Sequence, residues 1–387
     1  MGNLLAAAEP RIAEAVPFVA LDRQHEPLIE EIRAALDRVV RGSSFILGHE
    51  VEQFEQEFAS YCGANECVGV SSGTAALTIA LLSAGIKAGD EVIVPAHTYI
   101  ASALGVVHAG AKPVFCDVNE RTGLMDVDSA SEQITARTAA ILPVHLYGQV
   151  CDMEAVGALA TRHGLFVIED AAQAHGATCA GRRAGSFGAA AAFSFYPSKN
   201  LGALGDGGAI CTSDPAIAER ARQLRHLGQR RKGQHLITGF NERLDGLQAA
   251  FLRVKLPHLD GWNHSRRAAA ALYRDSLNGA FALLEERPDS PCIYHLFPIR
   301  TPDRDRVLKR LARAGISCAV HYTPAVHQQP PFALDQRDPV ELAGAERWAR
   351  EELSLPIYPE LRPEEALMIA DRCLAAVEAS SGVTTVR

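Results

Sequence analysis

Positive charge is in deficit. The 387 residues carry 38 Lys and Arg against 46 Asp and Glu, a formal net charge of −8. A chain with no global basic field is not built to hold nucleic acid, so no nucleic-acid partner is expected. The one local basic run, Arg222 to Lys232, suits a single small anion. Long apolar runs are missing too. None approaches the roughly 20 residues needed to span a bilayer, and the first residues lack a basic stretch followed by a long apolar core. A cytoplasmic protein without a membrane partner is expected. Paired cysteines are absent: Cys62, Cys67, Cys116, Cys151, Cys179, Cys211, Cys292, Cys318 and Cys373 are odd in number and include no C-x-x-C. That pattern argues against a disulfide framework or a zinc site, predicting reduced buried thiols and no metal. No G-x-G-x-x-G and no G-K-[ST] loop occurs, which argues against a nicotinamide-dependent dehydrogenase and a P-loop enzyme.

What is present is an ordinary globular composition, 48% hydrophobic and 22% charged, and a length that suggests two to three domains. An amphipathic helix carries Leu28, Ile29, Ile32, Leu36, Val39 and Val40 on one face, and a second carries Val51, Phe54, Phe58 and Tyr61. Short β-branched runs then alternate with helical stretches such as Thr74–Ala84 and Met153–His163. The strand candidates are Glu66–Val70, Glu91–Val94, Pro113–Val118, Ala139–Val144, Leu165–Glu169, Ala191–Phe195 and Gly208–Thr212. This alternation predicts an α/β fold, a mostly parallel seven-stranded sheet flanked by helices, with ligands at the C-terminal strand ends. Past Leu256 the pattern changes. A helix over Leu259–Leu277, strands at His295–Ile299 and Ile316–Val320, and helices at Val307–Ala314 and Pro363–Ala379 predict a smaller α+β domain. The expected division is a tail over 1–16, a large domain over 17–257 and a small one over 258–387.

Four segments follow predicted strands. Ser72-Gly73-Thr74 opens a helix, whose free N–H groups and dipole attract an anion; simple capping by Ser72 is the alternative. Tyr99 follows the second strand and is either a stacking surface or a core residue. Glu169-Asp170 ends an apolar strand, and Gln173 lies one helical turn beyond Asp170. Metal ligation by Asp170 and His175 lacks further spaced ligands, and helix capping remains open. Lys199 sits in the Pro/Gly-rich loop after Ser194, where partial desolvation favours a neutral amine; a solvated charge is the bland reading. Together an anion end, an aromatic, a carboxylate and a loop lysine make a complete set for pyridoxal 5′-phosphate.

The sequence resembles the DegT/DnrJ/StrS family of sugar aminotransferases from Val16-Pro17-Phe18 to about Leu374. The motifs that carry the resemblance include Phe45-Ile46-Leu47-Gly48, Pro143-Val144-His145-Leu146-Tyr147-Gly148, Glu169 to Gly176, Ser194 to Gly202, Gly239 to Leu244, His295-Leu296-Phe297 and Leu353-Ser354-Leu355-Pro356. The resemblance implies the fold type I of pyridoxal-phosphate enzymes, a homodimer with shared active sites, and ping-pong transfer from an amino acid, glutamate, to a nucleotide-linked keto sugar. It gives Lys199 the cofactor imine and the proton shuttle, Asp170 the pyridinium nitrogen, Gln173 the ring hydroxyl and Tyr99 the ring face. Gly73, Thr74 and Ser194 would hold the phosphate, and Asn241 the phosphate of the neighbouring subunit's cofactor. Tyr322 and His327 would face substrate. Ala75 replaces an Asp found in many members, and Ala96 and His97 occupy variable positions, so substrate choice is where this chain departs. Dehydratase relatives carry histidine where Lys199 stands. A dehydratase or lyase of the same fold and a non-catalytic cofactor-binding regulator remain as alternative readings.

Overall fold

A computed structural model describes residues 15–333 and 341–378. The tail predicted over residues 1–16 lies outside it up to residue 14. At its other end the expectation fails: Val16 is buried and bridged to Ile316, so the chain is tied into the core one residue earlier.

Seven short strands form the main sheet: β1 (Glu66–Val70), β2 (Glu91–Pro95), β3 (Lys112–Cys116), β4 (Thr138–Ile141), β5 (Phe166–Asp170), β6 (Ala190–Ser194) and β7 (Gly208–Thr212). Their order is β1-β7-β6-β5-β4-β2-β3. All run parallel except β7, which is antiparallel to both β1 and β6. Burial on both faces explains why these strands read as continuous apolar runs. Helix Gly73–Ser83 is apolar on every side because it is enclosed, packing on β6, β7 and helix Ala101–His108. Reversing β7 brings its first residue, not its last, to the edge where the parallel strands end. Gly208 therefore lies against Ser72, and a Cβ on Gly208 would sit 2.3 Å from the Ser72 carbonyl oxygen.

A second, antiparallel sheet has the order β8 (Ala282–Leu283), β9 (Phe297–Arg300), β10 (Glu352–Leu355). Helices Leu259–Leu277 and Arg304–Arg313 pack on helix Pro363–Glu378 beside it. One reading needs correction here. Ile316–Val320 is not a strand: it makes only single bridges, Val16 to Ile316 and Ala319 to Ser354. The proposed division at 257/258 falls inside a 3₁₀ turn, Leu256–His258, that joins two helices directly.

The helix Ile29–Gly42 buries only part of its apolar stripe. Leu28, Ala35 and Val39 are covered, whereas Ile29, Leu36 and Val40 are exposed, as are Phe45 and Ile46 in the loop beyond. All nine cysteines are free and all but Cys318 are buried. Among the described residues no helix is long and apolar enough to cross a membrane.

Candidate active site

A cavity of about 500 Å³ opens at the C-terminal edge of the parallel strands. Its lining brings together Gly73, Thr74, Tyr99, Asp170, Gln173, Ser194, Lys199 and Tyr322, contributed by segments far apart in the chain. Asn241 and His327 are not in that lining. Asn241 is exposed and bridged to His226. His327 is buried beside Phe115, with Nε2 3.1 Å from Glu346 Oε1.

Ser72 caps the helix at one end of the cavity, its hydroxyl accepting from Ala75 N–H at 3.1 Å. The remaining N–H groups of that first turn lie at the cavity edge, as an anion site needs. Gly73 permits this packing, since a Cβ there would lie 2.6 Å from Ser194 Cβ. Both the capping and the anion readings of Ser72-Gly73-Thr74 are thus compatible.

Asp170 ends β5, and the two carboxylates of the Glu169-Asp170 pair diverge because adjacent side chains of a strand point to opposite faces. Glu169 is fully buried and accepts from Gly185, Phe187 and Gly188 N–H and from His145 Nε2. Burial works against its charge, but His145 and these backbone donors hold the carboxyl below the usual range. Asp170 faces the cavity. Burial pushes its carboxyl up, opposed by the Ser102 hydroxyl at 2.7 Å, Ala172 N–H and the Lys199 charge. The residues after Asp170 form turns and not the expected helical turn. Gln173 instead reaches the cavity by accepting from Tyr147 N–H at 2.7 Å and donating to Tyr322 Oη at 2.9 Å. Tyr99 is 54% exposed, which excludes the core reading, and its ring lies 5.2 Å from that of Tyr322. His175 packs on Phe193 and Phe195, and among the described residues no His, Cys, Asp or Glu group could hold a metal.

Lys199 occupies the tight loop after β6, where its N–H bonds Tyr196 O at 2.8 Å. Gly202 lets that loop close, because a Cβ there would lie 2.2 Å from the Pro197 carbonyl oxygen. Burial pushes the ammonium down to about 8, against the pull of Asp170. A substantial neutral fraction therefore exists near neutral pH. Ser102, Asn263 and Arg266 carry no local signal in the sequence, and His295 and His321 stand out only as members of the His295-Leu296-Phe297 motif and the segment around Tyr322. Arg266, His295 and His321 line the cavity, Ser102 backs Asp170, and Asn263 lies behind Asn200.

Residues 27–373 match the DegT/DnrJ/EryC1/StrS aminotransferase family. The chain belongs to that family. It is 49% identical over 358 residues to the dTDP-3-amino-3,4,6-trideoxy-α-D-glucose transaminase of Streptomyces venezuelae, covering 92% of this chain and 94% of that protein. Its structure is similar to that of S. venezuelae DesV in complex with a ketimine intermediate, with a TM-score of 0.92, 47% identity, and coverage of 96% of this chain and 100% of that one. It is similar as well to NtdA of Bacillus subtilis with bound cofactor PMP, at a TM-score of 0.89, 33% identity, and coverage of 95% and 86%. The mostly parallel seven-stranded sheet is thus the fold type I sheet of pyridoxal-phosphate aminotransferases.

Proposed function

We propose that this protein is a pyridoxal-5′-phosphate-dependent aminotransferase that moves an amino group from an amino acid, L-glutamate, to a nucleotide-linked keto sugar. The observation that carries the reading is one cavity with the Lys199 amine and the Asp170 carboxyl on its wall and the helix end at Gly73 beside Ser194. These residues fit the cofactor: an anion seat, a buried carboxylate for a ring cation, and an amine with a depressed pKa. When bound, pyridoxal phosphate supplies an aldehyde for imine formation and a ring that accepts the electron pair left by a departing proton.

The chain's own residues do the rest. Lys199 Nζ would hold the cofactor and, when free of it and neutral, would take the proton from the donor's α-carbon and return one to the acceptor. Ionised Asp170, held by Ser102 and Ala172, would keep the ring nitrogen protonated through its charge. Gln173 would hold the ring hydroxyl and Tyr99 would cover the ring face. Gly73, Thr74 and Ser194 hold the phosphate, so Gly73→Ala, which forces Ser194 away, should weaken pyridoxal-phosphate binding by about 10-fold or more. Pyridoxal without its phosphate should bind the variant and the wild type alike. Equal loss for both compounds in a fluorescence titration would remove the phosphate from this end.

The exposed apolar row of Ile29, Leu36 and Val40 supports a second copy of the chain as its cover, and Asn241 would reach that copy's cofactor phosphate. Of the two residues expected to face substrate, Tyr322 lines the cavity and would contact the acceptor, whereas His327 lies outside that lining with Nε2 at Glu346. The relative named for a dTDP-linked 3-amino sugar supports a dTDP-linked 3-keto deoxyhexose as acceptor. Purified enzyme given glutamate and such acceptors should form 2-oxoglutarate in step with amino sugar. Release of water or of a carbon fragment in place of amino transfer would make it a dehydratase or lyase.

A further inference from the structure

From Lys199 a chain of buried side chains leads into the protein. Lys199 Nζ lies 3.4 Å from His295 Nε2, and His295 Nδ1 lies 3.1 Å from Asn200 Oδ1. Asn200 Nδ2 donates to Asn263 Oδ1 at 2.8 Å, and Asn263 Nδ2 donates to the His175 carbonyl oxygen at 2.8 Å. His295, Asn200 and Asn263 are 7%, 1% and 5% exposed. The last acceptor fixes the sense of every link. A carbonyl can only accept, so Asn263 must turn its nitrogen there and its oxygen to Asn200. Asn200 must then give its nitrogen to Asn263 and its oxygen to His295. Only a proton on Nδ1 satisfies that oxygen, which leaves Nε2 unprotonated and aimed at the lysine.

We propose that His295 is a positioning residue for Lys199: its Nε2 lone pair accepts a hydrogen bond from the lysine nitrogen whenever that nitrogen is not joined to the cofactor, and the Asn200–Asn263 chain sets the tautomer that makes this possible. The inference rests on Lys199 being the cofactor-linked lysine. Burial and the charges of Lys199 and Arg266 keep the His295 imidazole neutral, far below its ordinary range. The other titratable groups acting on Lys199 or on this imidazole are Asp170, His175 and His321. A neutral acceptor holds the amine in place without the charge stabilisation a carboxylate would give, so the amine is fixed and still readily deprotonated.

The test uses cofactor-free protein, titrated with acetic anhydride between about pH 6 and 10, with acetylation of Lys199 read by peptide mass spectrometry. Wild type should label with a midpoint near 8. His295→Asn places an amide where Nδ1 was and nothing at Nε2, and should lower the midpoint by about one pH unit, because the ammonium loses a charge-assisted hydrogen bond. His295→Gln reaches the Nε2 position and should stay within about 0.3 unit of wild type. Asn200→Leu, which releases the tautomer, should shift in the same direction as His295→Asn and serves if that variant does not fold. Unshifted midpoints in His295→Asn and Asn200→Leu, or a His295→Gln shift as large as that of His295→Asn, would overturn the proposal. Borohydride trapping on reconstituted wild type reports separately: no adduct at residue 199 would sink the cofactor reading without moving these midpoints.

Discussion

Lys199→Ala should leave a folded protein that transfers no amino group, with turnover down by more than about 10³-fold. Both the nucleophile and the proton carrier are lost with one nitrogen, so no other group in the cavity restores the rate. The seat survives, because Asp170 keeps its bonds from Ser102 and Ala172 and the helix end at Gly73 still packs on Ser194. The variant should therefore still bind pyridoxal phosphate while borohydride attaches nothing to residue 199. Its stability has a defined sign. The folded-state pKa of about 8 lies below the ordinary lysine value of 10.5, so the native state binds fewer protons than the unfolded one between those values. Wild-type stability then falls as pH drops through that window, a slope the alanine variant lacks, and at neutral pH the variant should melt no lower than wild type. Wild-type turnover in Lys199→Ala would refute the assignment.

Asp170→Asn should cost about 10²- to 10³-fold in turnover while barely touching the fold. Asp170 accepts from Ala172 N–H on Oδ1 and from the Ser102 hydroxyl on Oδ2; the asparagine oxygen keeps the first bond, and its nitrogen can donate to the Ser102 hydroxyl oxygen, so the side chain stays in place. Its other atom becomes an N–H₂ donor that faces a ring N–H, and the ring nitrogen gives up its proton. The carboxyl it replaces is pushed upward by burial, so wild-type folding takes up protons above the ordinary aspartate value of 3.8 and stability falls as pH rises there. The amide removes that slope, and the thermal midpoint at neutral pH should hold or rise. The diagnostic is the absorbance of bound cofactor across pH: loss of the protonated-ring form must accompany loss of rate. A variant that keeps both would remove Asp170 from the mechanism.

The seven strands were legible because most of their residues are buried and leave a short apolar run between turn signals. The antiparallel course of β7 was not, since Gly208–Thr212 reads alike in either direction and its pairing with β1 is long-range. At the site, residues directly after strands stood out, among them Thr74, Tyr99 and Lys199. Ser102 and Asn263 did not. They lie within helices, and their roles come only from partners 68 and 63 positions away in the chain. Gln173 was placed by the wrong device: Gly176, at φ +87°, belongs to a turn where a helix was expected. Half of the first helix's apolar stripe looked like core and is exposed in this chain, a distinction that helical periodicity alone does not encode.

The cavity wall has two origins. Gly73, Asp170, Ser194 and Lys199 come from the sheet edge, whereas His321, Tyr322 and Ile357 come from the last fifth of the chain. On the proposed function, the late passage would meet the acceptor while the sheet edge holds the cofactor. A library confined to that late wall is then where new sugar preferences should surface, with the sheet-edge residues left as they are.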